Sequence, residues 1–233
     1  MPDFSKRSNE KELLDDPSVP FEHVKQTMRE LDTINAWLGG HRTTLAGLKT
    51  LIRNKKKVSI CEIGCGGGDN LVVIHNWCRK HGIEAVLTGV DMNPHAITYA
   101  TAQYGALGIQ FICSDYRADV LDRKPDIFFN SLFCHHFDEE ELVDMLRWMR
   151  VNSRIGFFIN DLHRHPLAYY SIKLLTSLFS KSYMVKNDAA VSVMRGFTKD
   201  EWGTFAERAG LRTTAVRWRW AFRHLMVYRN GWA

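Results

Sequence analysis

Residues 58 to 70 read VSICEIGCGGGDN, an apolar run that passes directly into a loop with glycine at positions 64, 66, 67 and 68. Val58, Ile60 and Ile63 suit a buried strand. The glycines after them free the backbone to take positive φ and remove the Cβ atoms that would hold a ligand away from the main chain. A strand that ends in such a turn predicts a ligand lying against the loop.

The spacing departs from the dinucleotide fingerprint, which would need glycine at position 69, where this chain has Asp69. Glu62, Gly64, Gly66 and Gly68 follow the pattern E-x-G-x-G-x-G instead. Two later apolar runs also end in acids: AVLTGV leads to Asp91, placed to accept both hydroxyls of a ribose, and FICS leads to Asp115.

In this order the three features resemble the Rossmann-like (class I) methyltransferases, which bind S-adenosylmethionine. The resemblance covers about residues 58 to 161. It implies an α/β, three-layer fold around a seven-stranded mixed sheet with the last strand antiparallel, with N-terminal helices and a helical lid. It also implies a cofactor site drawn from Glu62, Gly64, Cys65, Gly66, Gly68, Asn70, Asp91, Met92, Asp115, Tyr116, Asn130 and Ser131, with Asp115 meeting the adenine amino group. Arg42 is expected to reach the methionine carboxylate from a flexible arm after Gly39 and Gly40.

At 233 residues, 45% hydrophobic and 24% charged, the chain is long enough for one well-buried domain. We expect an N-terminal helical cap over residues 1 to 50 and a methyltransferase domain over 51 to 233, with a lid insertion at about 166 to 195. The leader has no apolar core of signal-peptide length, and no stretch reaches the roughly 18 apolar residues of a membrane span, so a soluble, cytoplasmic protein is expected. Cys61, Cys65, Cys78, Cys113 and Cys134 form an odd set without finger-like spacing, which favours free thiols over a structural zinc. The net charge of +5 would suit nucleic acid, but the basic residues are scattered and no RNA-binding motif accompanies them.

Along the chain, Phe21, Val24, Met28, Leu31, Ile34 and Leu38 recur at helical spacing, with Ser18 as the expected N-cap and Gly39 and Gly40 as the stop. Helices are expected over 69 to 81, 94 to 104, 138 to 150 and 199 to 209, the last opened by a capping box of Thr198 and Glu201. PDIFFNS and RIGFFIN read as central strands buried on both faces, and the C-terminal part supplies two more around Val216 to Trp220 and Leu225 to Tyr228. Residues 166 to 193 give no strand pattern; they read as a short apolar helix and a loop forming a lid.

Methyl transfer from a sulfonium donor is a direct displacement governed by alignment. A phenolic acceptor also needs a base, and histidine titrates close to neutral pH. His135 and His136 follow the fourth strand, where a base would stand. Asp161, His163, His165 and Tyr169 follow the fifth strand and are expected to meet the acceptor. Asp161, His163 and His165 could alternatively hold a divalent metal, although no metal is expected. The run NDLHRHPLAYY and the apolar stretch after it resemble bacterial quinone and polyketide methyltransferases, which favours a small hydrophobic acceptor and O- over C-methylation. The alternatives are an RNA methyltransferase, carried by WRWAFR, and a non-catalytic S-adenosylmethionine-binding partner.

Overall fold

The computed structural model describes residues 2–16, 18–118, 120–212 and 214–231. Seven strands, β1 Lys57–Ile63, β2 Glu84–Asp91, β3 Gln110–Cys113, β4 Ile127–Ser131, β5 Gly156–Leu162, β6 Thr214–Arg219 and β7 Arg223–Arg229, form one sheet in the order β3-β2-β1-β4-β5-β7-β6. β1 to β5 pair in parallel. β7 inserts antiparallel between β5 and β6, as expected for the last strand.

Eight α-helices accompany the sheet among the described residues: α1 Phe21–Trp37, α2 Gly40–Ile52, α3 Asp69–Lys80, α4 Pro94–Tyr104, α5 Glu139–Asn152, α6 Pro166–Phe179, α7 Tyr183–Arg195 and α8 Lys199–Arg208. Strand alternation divides the core. Ile60, Phe129 and Phe158 pack with Leu48, Leu71 and Ile74 from α2 and α3, whereas Phe128 and Phe157 pack with Leu142, Met145, Trp202 and Phe205 from α5 and α8. Each fully buried phenylalanine contributes about 1.5–3 kcal/mol, so these two rows, more than helix propensity, hold the layers together. α1 lies above the sheet, packing Val24 and Met28 on Ala96 and Tyr99 of α4.

The helix ends follow their capping residues. Asn93 caps α4 by accepting from the backbone of His95 and Ala96, and Pro94 occupies the first turn. Asp138 with Glu141 and Thr198 with Glu201 form reciprocal capping boxes on α5 and α8.

Four local expectations are corrected. Pro20, not Ser18, precedes α1, and the Ser18 hydroxyl turns back to Asp16 at 2.7 Å. No flexible arm follows Gly39: that residue takes φ of 71° and starts α2, whose close approach to β5 depends on Gly47, where a Cβ would sit 2.4 Å from the Phe158 ring. Residues 183–195, expected as a loop, form α7 behind the Ser182 cap. Trp220 leaves the strand for the β6–β7 turn.

The N-terminal leader is an ordered strap. Ser8 N–H donates to Met194 O at 3.0 Å, Arg195 Nη1 donates to Glu10 O at 2.6 Å, and the N–H groups of Leu13 and Leu14 donate to the Asp188 carboxylate at 2.9 and 3.0 Å. Among the described residues, no helix is long and apolar enough to cross a membrane.

Candidate active site

The C-terminal ends of β1, β2 and β4 open into a cavity of about 570 Å³. The size suits a ligand of cofactor dimensions. One wall is the loop after β1, in which Gly64, Gly66 and Gly68 take φ of 67°, 48° and 82°. A Cβ on Gly64 would lie 2.1 Å from the Phe133 ring, so only glycine lets the loop pass beneath that side chain.

Asp91 is set in place by this loop. Its Oδ2 accepts from Gly66 N–H and its Oδ1 from Asn93 N–H, both at 2.8 Å, and each oxygen keeps a further lone pair. Burial raises its carboxyl pKa, partly offset by those two bonds. Glu62 is buried in the wall, and its Oε2 has no hydrogen-bond partner among the described residues. Burial, joined by the charges of Asp69 and Asp91, raises its pKa well above the carboxylate range. Asn70 accepts from the Thr44 hydroxyl at 2.9 Å.

Cys65, Met92, Asp115, Tyr116 and Ser131 also line the cavity. Asp115 lies two residues beyond the end of β3, where Arg117 Nη2 grips it at 2.6 Å and lowers its pKa. Burial pushes the Tyr116 phenol up to about 12, keeping it a neutral donor near pH 7. Gly68 sits behind the lining, against the Phe111 ring, as the residue that opens α3.

The opposite wall comes from Leu14, Asp15 and Val19 of the strap region, Val24, Met28 and Leu31 of α1, and Phe133, His136 and Phe137 after β4. His136 Nδ1 lies 3.1 Å from Asp15 Oδ1, whereas Nε2 stands 3.9 Å from Glu12 Oε2, beyond hydrogen-bond reach. The ring is partly exposed.

His135 occupies a different environment. It is buried, with Nδ1 2.7 Å from Asp161 Oδ1 and Nε2 3.2 Å from Glu12 Oε1, and it does not line the cavity. Burial opposes its charge, but the two carboxylates prevail and raise its pKa to about 10. Asp161 is held below its ordinary value because its pairing with His135 outweighs burial. His135 is therefore a protonated anchor for the strap, and the expectation of a base at this position is corrected.

Strand parity moves other residues out of the cavity. Ser131 shares the face of Phe129, but Asn130 points to the α5 side, where it accepts from Cys134 Sγ at 3.2 Å. By the same alternation Asp161 lies on the His135 side of β5, not over the crevice. His163 packs against the rings of His165 and His224 at 5.5 and 4.7 Å, His165 caps α6, and Tyr169 meets Phe4 edge-on at 5.7 Å. None of these lines the cavity, and neither does any residue of α6 or α7, so the expected lid does not cover it. Arg42 is exposed on α2, outside the lining.

Arg223, buried in β7 outside the lining, supports it from behind by donating to Asn35 Oδ1 at 3.0 Å. Asn35 in turn donates to Asp69 Oδ2 at 3.2 Å, and His41 Nε2 lies 2.8 Å from the same oxygen. Among the described residues, two groups have donors converging closely enough for a cation, Glu12 with His135 and His136, and Asp32 with His41 and Asp69. Neither is the trio of Asp161, His163 and His165, the alternative that the sequence offers.

Sequence reasoning missed Glu12, Asp15, Asn35 and Arg223. Glu12 and Asp15 sit in a polar leader that reads as solvated, and the one local signal is the Leu13–Leu14 pair between acids. Arg223 reads in the sequence as one more of the scattered basic residues.

Residues 60–156 match a family described as a methyltransferase domain. No curated protein sequence matches the chain. Among solved structures, the chain is similar to the plantazolicin methyltransferase BpumL in complex with SAH, at 18% identity and TM-score 0.64 over 90% of this chain and 95% of that one. It is also similar to human N-acetylserotonin methyltransferase in complex with SAM, at 18% identity and TM-score 0.65 over 91% of this chain and 57% of that one. A third match is a SAM-dependent methyltransferase from Aquifex aeolicus, at 16% identity and TM-score 0.62 over 92% and 98% of the two chains. The glycine loop, the strand-end carboxylate of Asp91 and the sheet with its antiparallel β7 accord with these matches: residues 60–156 match a methyltransferase domain, and the chain has the Rossmann-like fold of these structures.

Proposed function

We propose that this protein transfers the methyl group of S-adenosylmethionine to the oxygen of a small hydrophobic, phenolic or polyketide-derived acceptor, with His136 as the base. The reading rests on one observation: the Asp91 carboxylate and the Asp15-bound imidazole of His136 line the same cavity. S-adenosylmethionine, when bound, supplies a methyl group on a positively charged sulfur, open to direct displacement.

The residues present fit that cofactor. Asp91 would accept from the ribose hydroxyls through its remaining lone pairs, and the unpartnered Oε2 of Glu62 would give the cationic end a buried acceptor. Asp115 and Tyr116 flank the base end. On the acceptor side Leu14, Val19, Met28 and Phe133 exclude water and leave an apolar surface for an aromatic ring. Asp15 accepts a hydrogen bond from Nδ1–H of His136 and so fixes the tautomer, leaving on Nε2 the lone pair that removes a phenolic proton.

Transfer of labelled methyl groups against phenols, polyketides, quinone precursors and tRNA tests the proposal. Label is expected on a phenolic oxygen. Label on tRNA alone, or on carbon alone, would overturn it.

A further inference from the structure

Among the described residues, nothing covers the outer face of α6. Leu167, Tyr170, Leu174, Leu178 and Phe179 are 53% to 71% exposed, and all but Phe179 follow the spacing of one helical face. Of the fourteen residues of this helix, only Ala168 and Thr176 are buried. Contiguous apolar surface of this kind marks a place where something docks. Because α6 lies outside the cavity lining, the methyl-transfer site does not account for it.

The charge around the face is one-sided. From residue 162 to residue 187 the chain has no Asp or Glu, while Lys173, Lys181 and Lys186 are exposed. The fourth cation, Arg164, turns inward to Glu201 at 2.6 Å. Two acids face this region from neighbouring elements: Glu30 of α1, engaged by Ser180 and by the N–H groups of Lys181 and Ser182, and Asp3 at the far end, beside Phe4 and within the field of Arg164. Asp188 on α7 is buried under the strap.

Aromatic residues border the same surface. Tyr183 is exposed just after the C-terminal end of α6. At the N-terminal end His165 stacks on Phe222 at 5.2 Å, and Trp218, itself exposed, meets Phe222 edge-on at 6.3 Å.

We propose that α6 is an interfacial helix that seats this protein on an anionic lipid bilayer. Its leucines and Phe179 enter the boundary between headgroups and acyl chains, its lysines meet the lipid phosphates, and the flanking tyrosine and tryptophan lie at headgroup depth. At 14 residues the helix is about 21 Å long, shorter than the roughly 30 Å hydrocarbon core, so it lies along the surface. A second copy of the chain fits less well. A twofold contact through this face would gather Lys173, Lys181 and Lys186 of both chains about one interface, with no Asp or Glu between residues 162 and 187 to offset them. The bilayer proposal does not rest on the identity of the methyl acceptor.

Flotation with lipid vesicles, using the full chain without cofactor or acceptor, tests it. At low salt the protein is expected to bind vesicles containing about one third phosphatidylglycerol roughly 10- to 100-fold more tightly than pure phosphatidylcholine, and to lose most of that preference in 1 M salt. Leu174→Glu with Leu178→Glu should abolish flotation while leaving the melting temperature unchanged, since both side chains are exposed. Lys173→Glu with Lys181→Glu should remove the preference for anionic lipid. Absence of vesicle binding at low salt, or equal binding by the leucine double variant, would overturn the proposal. So would a dimer by light scattering that the leucine variant dissociates, which would give this face to a second copy.

Discussion

The two walls of the cavity are built differently. The wall around Asp91 comes from short contiguous stretches at the ends of β1 and β2, and its key groups are placed by backbone: the N–H of Gly66 and that of Asn93 hold the carboxylate. The wall around His136 is assembled from the strap, α1 and the segment after β4. It is held by side-chain contacts such as His135 with Asp161 and Glu12, and Asp15 with His136. A wall made by backbone geometry forms whenever its strand forms. A wall made by docked segments exists only while the docking holds, so it is the half that chemistry and conditions can modulate.

The comparison breaks most sharply at His136. His136→Ala should lower turnover about 100- to 10,000-fold while cofactor affinity, measured by calorimetry, stays near wild type. If affinity falls and turnover with saturating cofactor does not, the two walls do not divide the work as described. Asp91→Ala is the opposite probe: loss of its charge-assisted hydrogen bonds should cost about 2 to 4 kcal/mol of cofactor binding, and near wild-type affinity would remove Asp91 from the ribose.

The third probe separates anchor from base. The folded pKa of His135 is raised from 6.5 to about 10, so its contribution to stability is complete below about pH 6.5 and is lost as pH rises towards 10. Glu12→Gln removes one of the two carboxylates that hold this proton, and should lower the melting temperature near pH 7 by about 2–6 °C. That gap from wild type should shrink towards pH 10. A gap independent of pH would mean that the strap is not held through the His135 charge.

The same contrast explains what the sequence made legible. The glycine loop, α4 from Pro94 and the Thr198 capping box could be read because each depends on residues within a few positions of one another. α2 was hidden because Gly39 and Gly40 are a stop signal for α1, and GHRTTLAGLKTLI, with two glycines and three threonines, is a weak helix former that its packing on β5 stabilises. α7 was hidden because Asp188 reads as a surface acid, whereas it is enclosed by the Leu13 and Leu14 N–H groups it binds. Asn130 and Asp161 were placed at the correct strand ends but on the wrong face, an alternation that only the packed sheet resolves. The adjacent histidines differ for a similar reason, since a 3-10 turn at Cys134–His136 directs one ring inward and the next outward.

The strap has a consequence for how this protein is made. Residues 7 to 15 leave the ribosome well before their partners, which include His135, Asp188 and Arg195. During synthesis at about 5–20 residues per second, the strap must wait on the order of ten seconds or more, unpaired, before α7 emerges to receive it. The Asp91 wall can close in that interval from residues already translated, so a nascent chain acquires the means to hold cofactor before it acquires Asp15 beside His136.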